Sequence, residues 1–307
     1  MSKLSTALRL LKNERSGFIA SVLENFNFFF PDKLYLKLMF RFKMGHKLDL
    51  ENPKTFNEKL QWLKLYNRNP LYTSLVDKFS VKERVEKVVG EEYVVPTLGV
   101  WNRAEEIDFD KLPNQFVLKT THGSGGSDVV ICKDLSRFDK DAAITHLKKS
   151  MKKNVYKRLR EFPYKNIFPR IIAEKYLDDN GHVPADYKVY CFNGEPYKVM
   201  VCLDRDTNEQ TKFYSFDFKW NLLRHNIRGK KAPEGFSLPK PRSLDLMYEC
   251  AVKLSKGIPF VRVDFYDLNG HMYFGEMTFY PDSGFDAAIL PEIDQLYGSL
   301  INLEGIK

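Results

Sequence analysis

An arginine and two carboxylates fall at strand spacing within residues 260–284. Arg262 and Asp264 are two residues apart, so they lie on one face of a β-strand, and Glu276 comes on the returning strand. The strands are separated by Asn269-Gly270, a dipeptide that favours two-residue hairpin turns because both of its residues accept a positive φ. Buried, unpaired carboxylates are costly, so two on neighbouring strands usually share a cation. The pattern predicts a hairpin with a cation site, and an open sheet edge with solvated or paired side chains is the alternative.

A glycine-rich loop lies between two short apolar segments earlier in the chain. The segment 115–119 ends in lysine, the loop reads TTHGSGGSD, and the apolar run 129–132 follows. Glycine lets the backbone approach a ligand, and a row of N–H groups can cradle phosphate oxygens, to which Lys119 would add positive charge. The loop has neither the Walker pattern nor the dinucleotide spacing. A phosphate-binding loop and an ordinary hairpin loop therefore both remain open.

Antiparallel strands are the expected support for these residues. The second half of the chain contains three Asn-Gly dipeptides, at 180–181, 193–194 and 269–270, next to apolar strand-like runs. Helical segments occur among them, and we find no internal repeat, so the composition of elements predicts an α+β fold. The predicted strands are 171–177, 185–192 and 197–203, and the predicted helices are 140–153 and 243–254.

The first seventy residues are predicted to be helical. Leu4, Leu8 and Leu11 recur at helical spacing. The sequence TFNE at 55–58 is a capping-box pattern, and it predicts a helix that turns Phe56, Leu60 and Leu63 toward a core. The sequence SVKE at 80–83 predicts a second box of the same kind.

A basic stripe follows one face of the predicted helix at 33–43. Its members are three positive side chains four residues apart, which lie opposite an apolar face. Such a stripe suits an anionic membrane surface, but it is also typical of the solvent face of a helix packed on its own protein. The basic residues are Lys33, Lys37 and Arg41, and the predicted apolar face is Leu34, Leu38 and Phe42.

Composition limits the classes of partner. The 307 residues carry 48 basic and 40 acidic side chains, a net charge of +8, which favours an anionic partner such as a nucleotide, a polyanionic glycan, a membrane surface or a nucleic acid. No recognised motif interleaves aromatic and basic residues, which disfavours a nucleic-acid-binding module.

The four cysteines show neither zinc spacing nor a disulfide framework, so a reduced cytoplasm is the simplest location. No apolar run reaches the ~18 residues of a membrane span.

Five motifs in order resemble the TupA-like branch of the ATP-grasp superfamily, named for a protein of teichuronopeptide biosynthesis. The resemblance covers about Asn52 to Leu300. Several motifs in the family's order are more specific than any one of them. They read NPKTFNEKLQWLK at 52–64, VDKFSVK at 76–82, KTTHGSGG at 119–126, DYKV at 186–189, and VRVDFY with FGEMTFYPDSGF from 261 to 285.

The resemblance implies a nucleotide site. Lys119 is implied to contact phosphate as a catalytic residue, and Gly123–Gly126 to form the mobile loop that closes on the triphosphate. Glu174, Lys175 and Leu177 correspond to the family's inter-lobe hinge, which meets adenine, and Asp186 and Lys188 would lie near ribose or phosphate. Lys82 stands where arginine is frequent in the family. The implied nucleotide-binding residues are Lys119, Gly123, Ser124, Gly125, Gly126, Glu174, Lys175, Leu177, Asp186 and Lys188.

The resemblance also assigns roles to the hairpin. Arg262 is similar to the arginine that steadies the transition state in related ligases, and Asp264 and Glu276 match the magnesium carboxylates. The family pattern E-x-N has Thr278 in place of asparagine. The third metal contact is therefore left open among Thr278, Asp282 and water.

By resemblance, the fold is two α+β lobes with antiparallel sheets that clasp a nucleotide. The predicted regions are a helical N-terminal region (1–70), a first lobe with the glycine-rich loop (71–172) and a second lobe with the metal-binding hairpin (173–307).

The activity implied by the resemblance is that of an ATP- and Mg²⁺-dependent carboxylate–amine ligase working through an acylphosphate. The implied substrates are a uronic-acid-containing cell-surface polysaccharide, such as a capsule, or its precursor, and an amino acid or other amine. A glycosyltransferase using a sugar nucleotide and a sugar kinase of the same pathway are the alternatives. The expected location is the cytoplasm, with contact to the inner membrane face left open.

Overall fold

Two compact units divide the chain. The computed structural model describes residues 19–179, 181–203 and 211–306. Unit 1 holds the residues up to Arg68, Tyr156–Phe162 and those from Tyr280 onward, and unit 2 holds Asn69–Val155 and Pro163–Phe279. The lobe boundaries expected from the sequence, at residues 70 and 172, remain predictions. Two sequence expectations lie outside the described residues: the helical spacing of Leu4, Leu8 and Leu11, and the turn residue Asn180.

Helices occur in both units, whereas the strands of the described residues lie in unit 2. The helices are α1 (Asp32–Met44), α2 (Phe56–Tyr66), α3 (Leu71–Val76), α4 (Ser80–Val88), α5 (Lys140–Met151), α6 (Val155–Leu159), α7 (Ile227–Lys230), α8 (Leu244–Ser255) and α9 (Pro291–Leu300). Residues 19–25 are also helical. The strands are β1 (Thr97–Trp101), β2 (Phe116–Thr120), β3 (Val129–Cys132), β4 (Ile171–Lys175), β5 (Asp186–Phe192), β6 (Glu195–Leu203), β7 (Lys212–Phe216), β8 (Leu222–Leu223), β9 (Phe260–Leu268) and β10 (His271–Thr278).

Both sheets lie in unit 2 and are antiparallel, which confirms the predicted α+β class. One sheet has the strand order β1-β4-β2-β3, and the other has the order β10-β9-β5-β6-β7-β8. Two predicted Asn-Gly turns are confirmed by their positive φ angles. Asn193 and Gly194 have φ of 50° and 87°, and Asn269 and Gly270 have φ of 56° and 90°.

Each sheet has a helix on one of its faces. Helix α5 packs on the four-stranded sheet and buries Leu147 in a core that includes Phe109 and Phe116. Helix α8 packs on β5, β6 and β9 of the larger sheet. As the sequence predicts, it does so through one apolar face, on which Met247, Ala251 and Leu254 have no exposed surface.

Strands β9 and β10 form the predicted hairpin, and its register places Asp264 directly opposite Glu276. The ladder has a bulge between Phe274 and Glu276. Gly275 occupies the bulge, where a Cβ would come within 3.1 Å of the backbone oxygen of Asp264. Glycine therefore lets the two strands approach each other beside the carboxylates.

Helix α1 in unit 1 exposes the predicted basic stripe of Lys33, Lys37 and Arg41. The predicted apolar face is wrong, since Leu34 is 47% exposed and the buried residues are Tyr35, Leu36, Met39 and Phe40. The apolar arc of this helix is wider than one stripe, and the larger aromatic side chains bury more area in the core. Across the described residues, no helix combines the length and apolarity needed to cross a bilayer.

The capping box at the start of α2 is confirmed. Thr55 Oγ1 accepts a hydrogen bond from Glu58 N at 3.2 Å, and Glu58 Oε2 accepts one from Thr55 N at 3.1 Å. Helix α2 then buries Phe56, Leu60 and Leu63, as predicted.

The predicted second box, at 80–83, is wrong. Asp77 Oδ1 accepts from Phe79 N and Ser80 N at 3.0 and 2.7 Å, so an earlier carboxylate caps α4. The Ser80 hydroxyl instead accepts from the guanidinium of Arg170 at 3.0 Å. The serine cap is displaced because Asp77 reaches two N–H groups of the same turn.

Lys64 ties three segments of unit 1 together. It is 1% exposed, and its Nζ donates to the backbone oxygen of Leu159 at 3.0 Å and to the backbone and hydroxyl oxygens of Ser283 at 2.7 and 2.8 Å. Ser283 and Asp282 have positive φ of 54° and 47°, a strained conformation for residues with side chains. Burial lowers the pKa of Lys64 to about 7, and the carboxylate of Glu161 opposes that shift.

Candidate active site

Glu174 lies between two lysines in unit 2. It is 6% exposed on β4, its Oε2 lies 2.5 Å from Lys119 Nζ on β2, and its Oε1 lies 2.6 Å from Lys82 Nζ on α4. Strands β2 and β4 are paired neighbours, which brings the Lys119 and Glu174 side chains to one face of the sheet. Lys82 also donates to the backbone oxygen of Val95 at 2.6 Å.

This cluster keeps a net positive charge. Burial would raise the pKa of Glu174, but Lys119 and Lys82 outweigh it and hold that pKa below its usual value. Burial lowers the pKa of Lys82, and Glu174 opposes the shift. Two ammonium groups sharing one carboxylate leave one positive charge, and Lys119, whose side chain is 16% exposed, is the more accessible of the two lysines. An anion in contact with Lys119 would complete the balance.

The base of the glycine-rich loop is held by side-chain bonds. Thr120 Oγ1 donates to Asp128 Oδ2 at 2.5 Å across the two ends of the loop. A Cβ at Gly123 would overlap that Asp128 carboxylate, so only glycine fits there. Lys78 Nζ donates to the backbone oxygen of Gly123.

The tip of the loop is open. Ser124 is half-buried, and Gly125 and Gly126 are exposed. Both glycines have positive φ, 74° and 73°, and a Cβ on either would meet no atom within 4 Å. The tip therefore combines a glycine-favouring backbone with free space around it, as a loop that approaches a ligand requires.

A cavity of about 380 Å³ lies beside this loop. Its charged lining is Lys119, Glu174 and Lys175, and most of its remaining wall is apolar. A few polar groups in an apolar slot of this size are typical of small-molecule sites. The other lining residues are Val95, Val117, Gly126, Val129, Ile131, Tyr176, Leu177, Val183, Pro184, Tyr266, Phe274 and Gly275.

A second buried cluster is centred on Asp264, which is 2% exposed. Arg262 donates to it twice at 2.7 Å, from Nε to Oδ1 and from the terminal nitrogen to Oδ2. Lys188 Nζ lies 2.6 Å from Asp264 Oδ2 and 2.5 Å from Asp186 Oδ2. The pairing of β5 with β9 places Lys188 directly opposite Asp264, so adjacent strands build the cluster.

The charges of this cluster stabilise one another. Burial would raise the pKa of Asp264, but Arg262 and Lys188 outweigh it and lower that pKa. Burial would likewise lower the pKa of Lys188, whereas Asp264 and Asp186 raise it above the usual value. Arg262, Lys188 and Asp264 are therefore held in their charged forms.

Glu276 extends the cluster toward solvent. Its side chain is 42% exposed, and its Oε1 lies 3.5 Å from the terminal nitrogen of Arg262. Thr278 links the two, because its hydroxyl accepts from Arg262 at 3.1 Å and donates to Glu276 Oε1 at 3.2 Å. Arg262 thus lies between a buried carboxylate and an accessible one.

Asp264 and Glu276 fit Mg²⁺ that is bound together with phosphate. Three donors occupy three of the roughly four lone-pair sites of Asp264, which leaves one on Oδ1. Within the described ranges, no group of three or more His, Cys, Asp or Glu side chains is arranged to hold a metal. Mg²⁺ usually takes one or two carboxylates and completes its shell with water and substrate phosphates. Asp282, another candidate from the sequence, is exposed and belongs to unit 1.

Residues 58–302 match the model of the family described as TupA-like ATPgrasp. This chain belongs to the TupA-like ATP-grasp family. No curated protein matches it significantly.

Solved structures align with this ATP-grasp chain at low identity. D-alanine–D-alanine ligase from Bacillus anthracis complexed with ATP has 17% identity and a TM-score of 0.44, over 76% of this chain and 65% of that one. Carboxyaminoimidazole ribonucleotide synthase from Aspergillus clavatus complexed with ATP has 17% identity and a TM-score of 0.40, over 75% and 55%. The ATP-grasp ligase PsnB complexed with a precursor variant, Mg and ADP has 14% identity and a TM-score of 0.42, over 79% and 64%. This chain spans less than two thirds of each, and the family assignment rests on the sequence match.

The predicted nucleotide-binding residues of this ATP-grasp chain fall into two groups. Lys119, Gly126, Glu174, Lys175 and Leu177 line the cavity, whereas Gly123, Ser124 and Gly125 lie in the adjoining loop outside its wall. Asp186 and Lys188 belong to the second cluster, with Arg262 and Asp264. The hairpin adjoins both groups, since Tyr266, Phe274 and Gly275 line the cavity one or two residues from the two carboxylates.

The ion pair between Lys82 and Glu174 is the part of the site that sequence reasoning misses. The resemblance marks Lys82 only as a replacement for arginine, and it assigns Glu174 to the adenine hinge. A signal is nonetheless present, because Lys82 lies between Val81 and Val85 on the buried face of α4. A lysine on an apolar face indicates a buried acidic partner elsewhere in the fold.

Proposed function

We propose that this protein is an ATP- and Mg²⁺-dependent carboxylate–amine ligase of the ATP-grasp type that works through an acylphosphate. One observation supports the proposal most strongly. The cavity of unit 2 has Lys119 and Glu174 on its wall, and it also reaches the hairpin that carries Asp264 and Glu276. Membership of the ATP-grasp family agrees with a nucleotide in this cavity.

The nucleotide would lie with its base in the apolar part of the cavity. Val117, Ile131 and Leu177 offer a slot for a flat ring, and the hinge after β4 supplies backbone groups beside it. The phosphates would then extend toward Lys119 and the glycine-rich loop. The single positive charge left in the Lys82–Glu174–Lys119 cluster favours this orientation.

In the first step, an oxygen of the substrate carboxylate attacks the γ-phosphorus of ATP. The bond to the β,γ-bridging oxygen breaks, ADP leaves, and an acylphosphate forms. Arg262, which is always protonated, would lie near the transferring group and offset its negative charge. Mg²⁺ held by Asp264 and Glu276 with the phosphates would supply further charge neutralisation.

In the second step, the amine nitrogen attacks the acyl carbon. The C–O bond to phosphate breaks, inorganic phosphate leaves, and the nitrogen loses a proton. The products are an amide, ADP and phosphate. Water would compete with the amine for the acylphosphate, so closure of the open loop tip at Gly125 and Gly126 would protect the intermediate.

The proposed acceptor is a uronic acid of a cell-surface polysaccharide or its precursor, and the proposed donor is an amino acid or other amine. This substrate class comes from the family resemblance. The net charge of +8 supports an anionic acceptor. The reaction would take place in the cytoplasm, where ATP is available.

Product analysis tests the proposal. The full chain is incubated with ATP, Mg²⁺ and a panel of uronates and amines, and ADP, phosphate and amide are quantified. We expect ADP and phosphate in equal amounts, only when a carboxylate and an amine are both present. Phosphate retained on the sugar would show a kinase, and turnover of a sugar nucleotide in place of ATP would show a glycosyltransferase.

A further inference from the structure

The helix at residues 19–25 in unit 1 exposes an apolar stripe. Ile19, Val22 and Phe26 are 39%, 37% and 52% exposed, and they recur at the i, i+3, i+7 spacing of one helix face. The same segment buries Ala20 and packs Leu23 against the core of unit 1. The helix therefore has apolar residues on two faces. The face with Ala20 and Leu23 packs against the core of unit 1, and the face with Ile19, Val22 and Phe26 is exposed.

The chain continues into two strongly exposed aromatic rings. Phe28 and Phe29 are 71% and 68% exposed, the highest values among large apolar side chains in the described ranges. Their ring centroids lie 4.0 Å apart, and the ring of Phe26 lies 6.4 Å from that of Phe29. Three phenylalanines thus form one exposed aromatic group, which differs from apolar residues scattered singly on a surface.

Helix α1 follows with its basic stripe. Lys33, Lys37 and Arg41 are exposed, and Leu34, 47% exposed, lies among them. No carboxylate of the described residues forms an ion pair with these three cations.

Two of the nearby acidic side chains are already paired. Glu24 lies 3.0 Å from Lys43, and Asp32 lies 3.1 Å from Arg68 and 2.8 Å from Arg160. The pair of Glu24 with Lys43 also joins the helix at 19–25 to α1. A third carboxylate, Asp49, accepts from Asn52 N and Glu51 N at 2.9 Å, and these bonds, with a smaller effect of Lys37, lower its pKa. One negative charge therefore lies near Lys37, and the three cations of the stripe keep an excess of positive charge.

We propose that this aromatic–basic surface binds a membrane surface rich in anionic lipid. It consists of Ile19, Val22, Phe26, Phe28, Phe29, Lys33, Leu34, Lys37 and Arg41. The aromatic and aliphatic side chains would enter the boundary between headgroups and acyl chains, while the cations contact lipid phosphates. This proposal does not depend on the ligase activity.

A second copy of the chain suits this surface less well. A symmetric dimer places the same patch of both subunits together, so Lys33, Lys37 and Arg41 would face the same three cations. Like charges at an interface are unfavourable. An anionic bilayer matches the apolar and the basic components at once.

Vesicle flotation tests the proposal. The full chain is mixed with vesicles of phosphatidylcholine alone or with about 30% phosphatidylglycerol, at low and at high salt, and the floated fraction is measured. We expect flotation with the anionic vesicles at low salt, and a fall at high salt because the basic stripe is exposed and screened. Flotation with neither vesicle would overturn the proposal.

Paired variants separate the two components. Phe28→Ser with Phe29→Ser should lower vesicle affinity at least about tenfold, and Lys33→Glu with Lys37→Glu should lower it by at least about fivefold per charge. The matched controls are Phe168→Ser, at a residue of unit 2 that is 66% exposed, and Lys149→Glu with Lys152→Glu, also on exposed positions of unit 2. These controls should float like the unchanged protein.

Two results would contradict the assignment of this surface. One is equal loss of flotation in the control variants, which would show a general charge or hydrophobicity effect. The other is unchanged flotation in the phenylalanine variant together with loss of a dimer in light scattering, which would assign the patch to self-association. Circular dichroism of each variant checks that the fold is retained.

Discussion

Two clusters of buried charges in unit 2 contain side chains of opposite sign in contact. Lys82 and Lys119 share Glu174, and Arg262 and Lys188 share Asp264. Such pairs contribute little net stability, but removal of one partner leaves an uncompensated buried charge. Substitutions at these residues therefore affect folding and binding in different ways, depending on which partners remain.

We predict that Glu174→Gln lowers the free energy of unfolding by about 3 kcal/mol, because it leaves Lys82 and Lys119 side by side without a carboxylate. Urea unfolding followed by tryptophan fluorescence measures the change. The control is Glu83→Gln, since Glu83 pairs with Lys87 on the exposed surface of α4 and should change stability by less than about 0.5 kcal/mol. Equal effects of the two variants would contradict the buried ion-pair network.

Lys119→Met should leave the fold intact, because Glu174 keeps Lys82 as a partner. Loss of a charged hydrogen bond to phosphate costs about 1.5–3 kcal/mol, so we expect the Kd for ATP to rise by about 10- to 150-fold. Equilibrium binding with a fluorescent ATP analogue measures this change. An unaltered Kd, with Lys87→Met as the exposed control, would remove Lys119 from the phosphate site.

The burial of His122 leads us to predict that the free energy of unfolding depends on pH. It is 5% exposed at the start of the glycine-rich loop, and burial lowers its pKa below 6.5, a shift that Asp128 opposes and Lys78 increases. Between the folded pKa and 6.5, the unfolded chain binds more protons than the folded chain. The free energy of unfolding should therefore fall as pH decreases below about 6.5.

Urea unfolding at about pH 7.5 and about pH 5 checks this dependence. In His122→Gln the loss of stability between the two pH values should be smaller than in the unchanged protein. His146→Gln is the control, since His146 is exposed on α5. The same loss in His122→Gln as in the unchanged protein would assign the acid sensitivity to other groups.

At the scale of the elements, turn chemistry was the most reliable guide. The Asn-Gly pairs at 193–194 and 269–270 place both hairpins correctly, because positive φ at two successive positions selects these residues. Strand β1 could not be predicted in the same way. Gly99 interrupts it, the space of the missing Cβ is filled by the ring of Trp101, and the register shifts between Thr97 and Gly99. Its pairing with β4 depends on tertiary contacts, and its sequence lacks the alternation of apolar and polar residues that would predict a strand.

The glycine-rich loop should tolerate substitution unequally along its length. Gly123→Ala forces a Cβ into the carboxylate of Asp128, so we expect a loss of about 1–3 kcal/mol in unfolding free energy and weaker binding of ATP. Gly125→Ala has open space and loses mainly through its positive φ, about 1 kcal/mol. Thermal unfolding and ATP titration of both variants test the difference. Equal effects would show that contact with Asp128 does not constrain the loop.

At the scale of the whole chain, partners within one hairpin could be predicted from the sequence, and partners from distant segments could not. The hairpin pattern and the family resemblance are enough to bring Asp264, Arg262 and Glu276 together from the sequence alone. The pairing of Lys188 with Asp264 needs β5 beside β9, two strands that are far apart in the sequence. Unit 1 is assembled from three separate segments, so the burial of Lys64 against Ser283 has no local sequence signal.

The central claim, that the cavity of unit 2 binds ATP with Mg²⁺ at Asp264 and Glu276, is tested most directly by titration calorimetry. We predict that one ATP analogue binds per chain and that Mg²⁺ tightens binding. Glu276→Gln, at a side chain that is 42% exposed, should retain the fold but lose most of the Mg²⁺-dependent increase in ATP affinity. The control Glu83→Gln should retain that increase. No ATP binding, or tighter binding of a UDP-sugar than of ATP, would contradict the account.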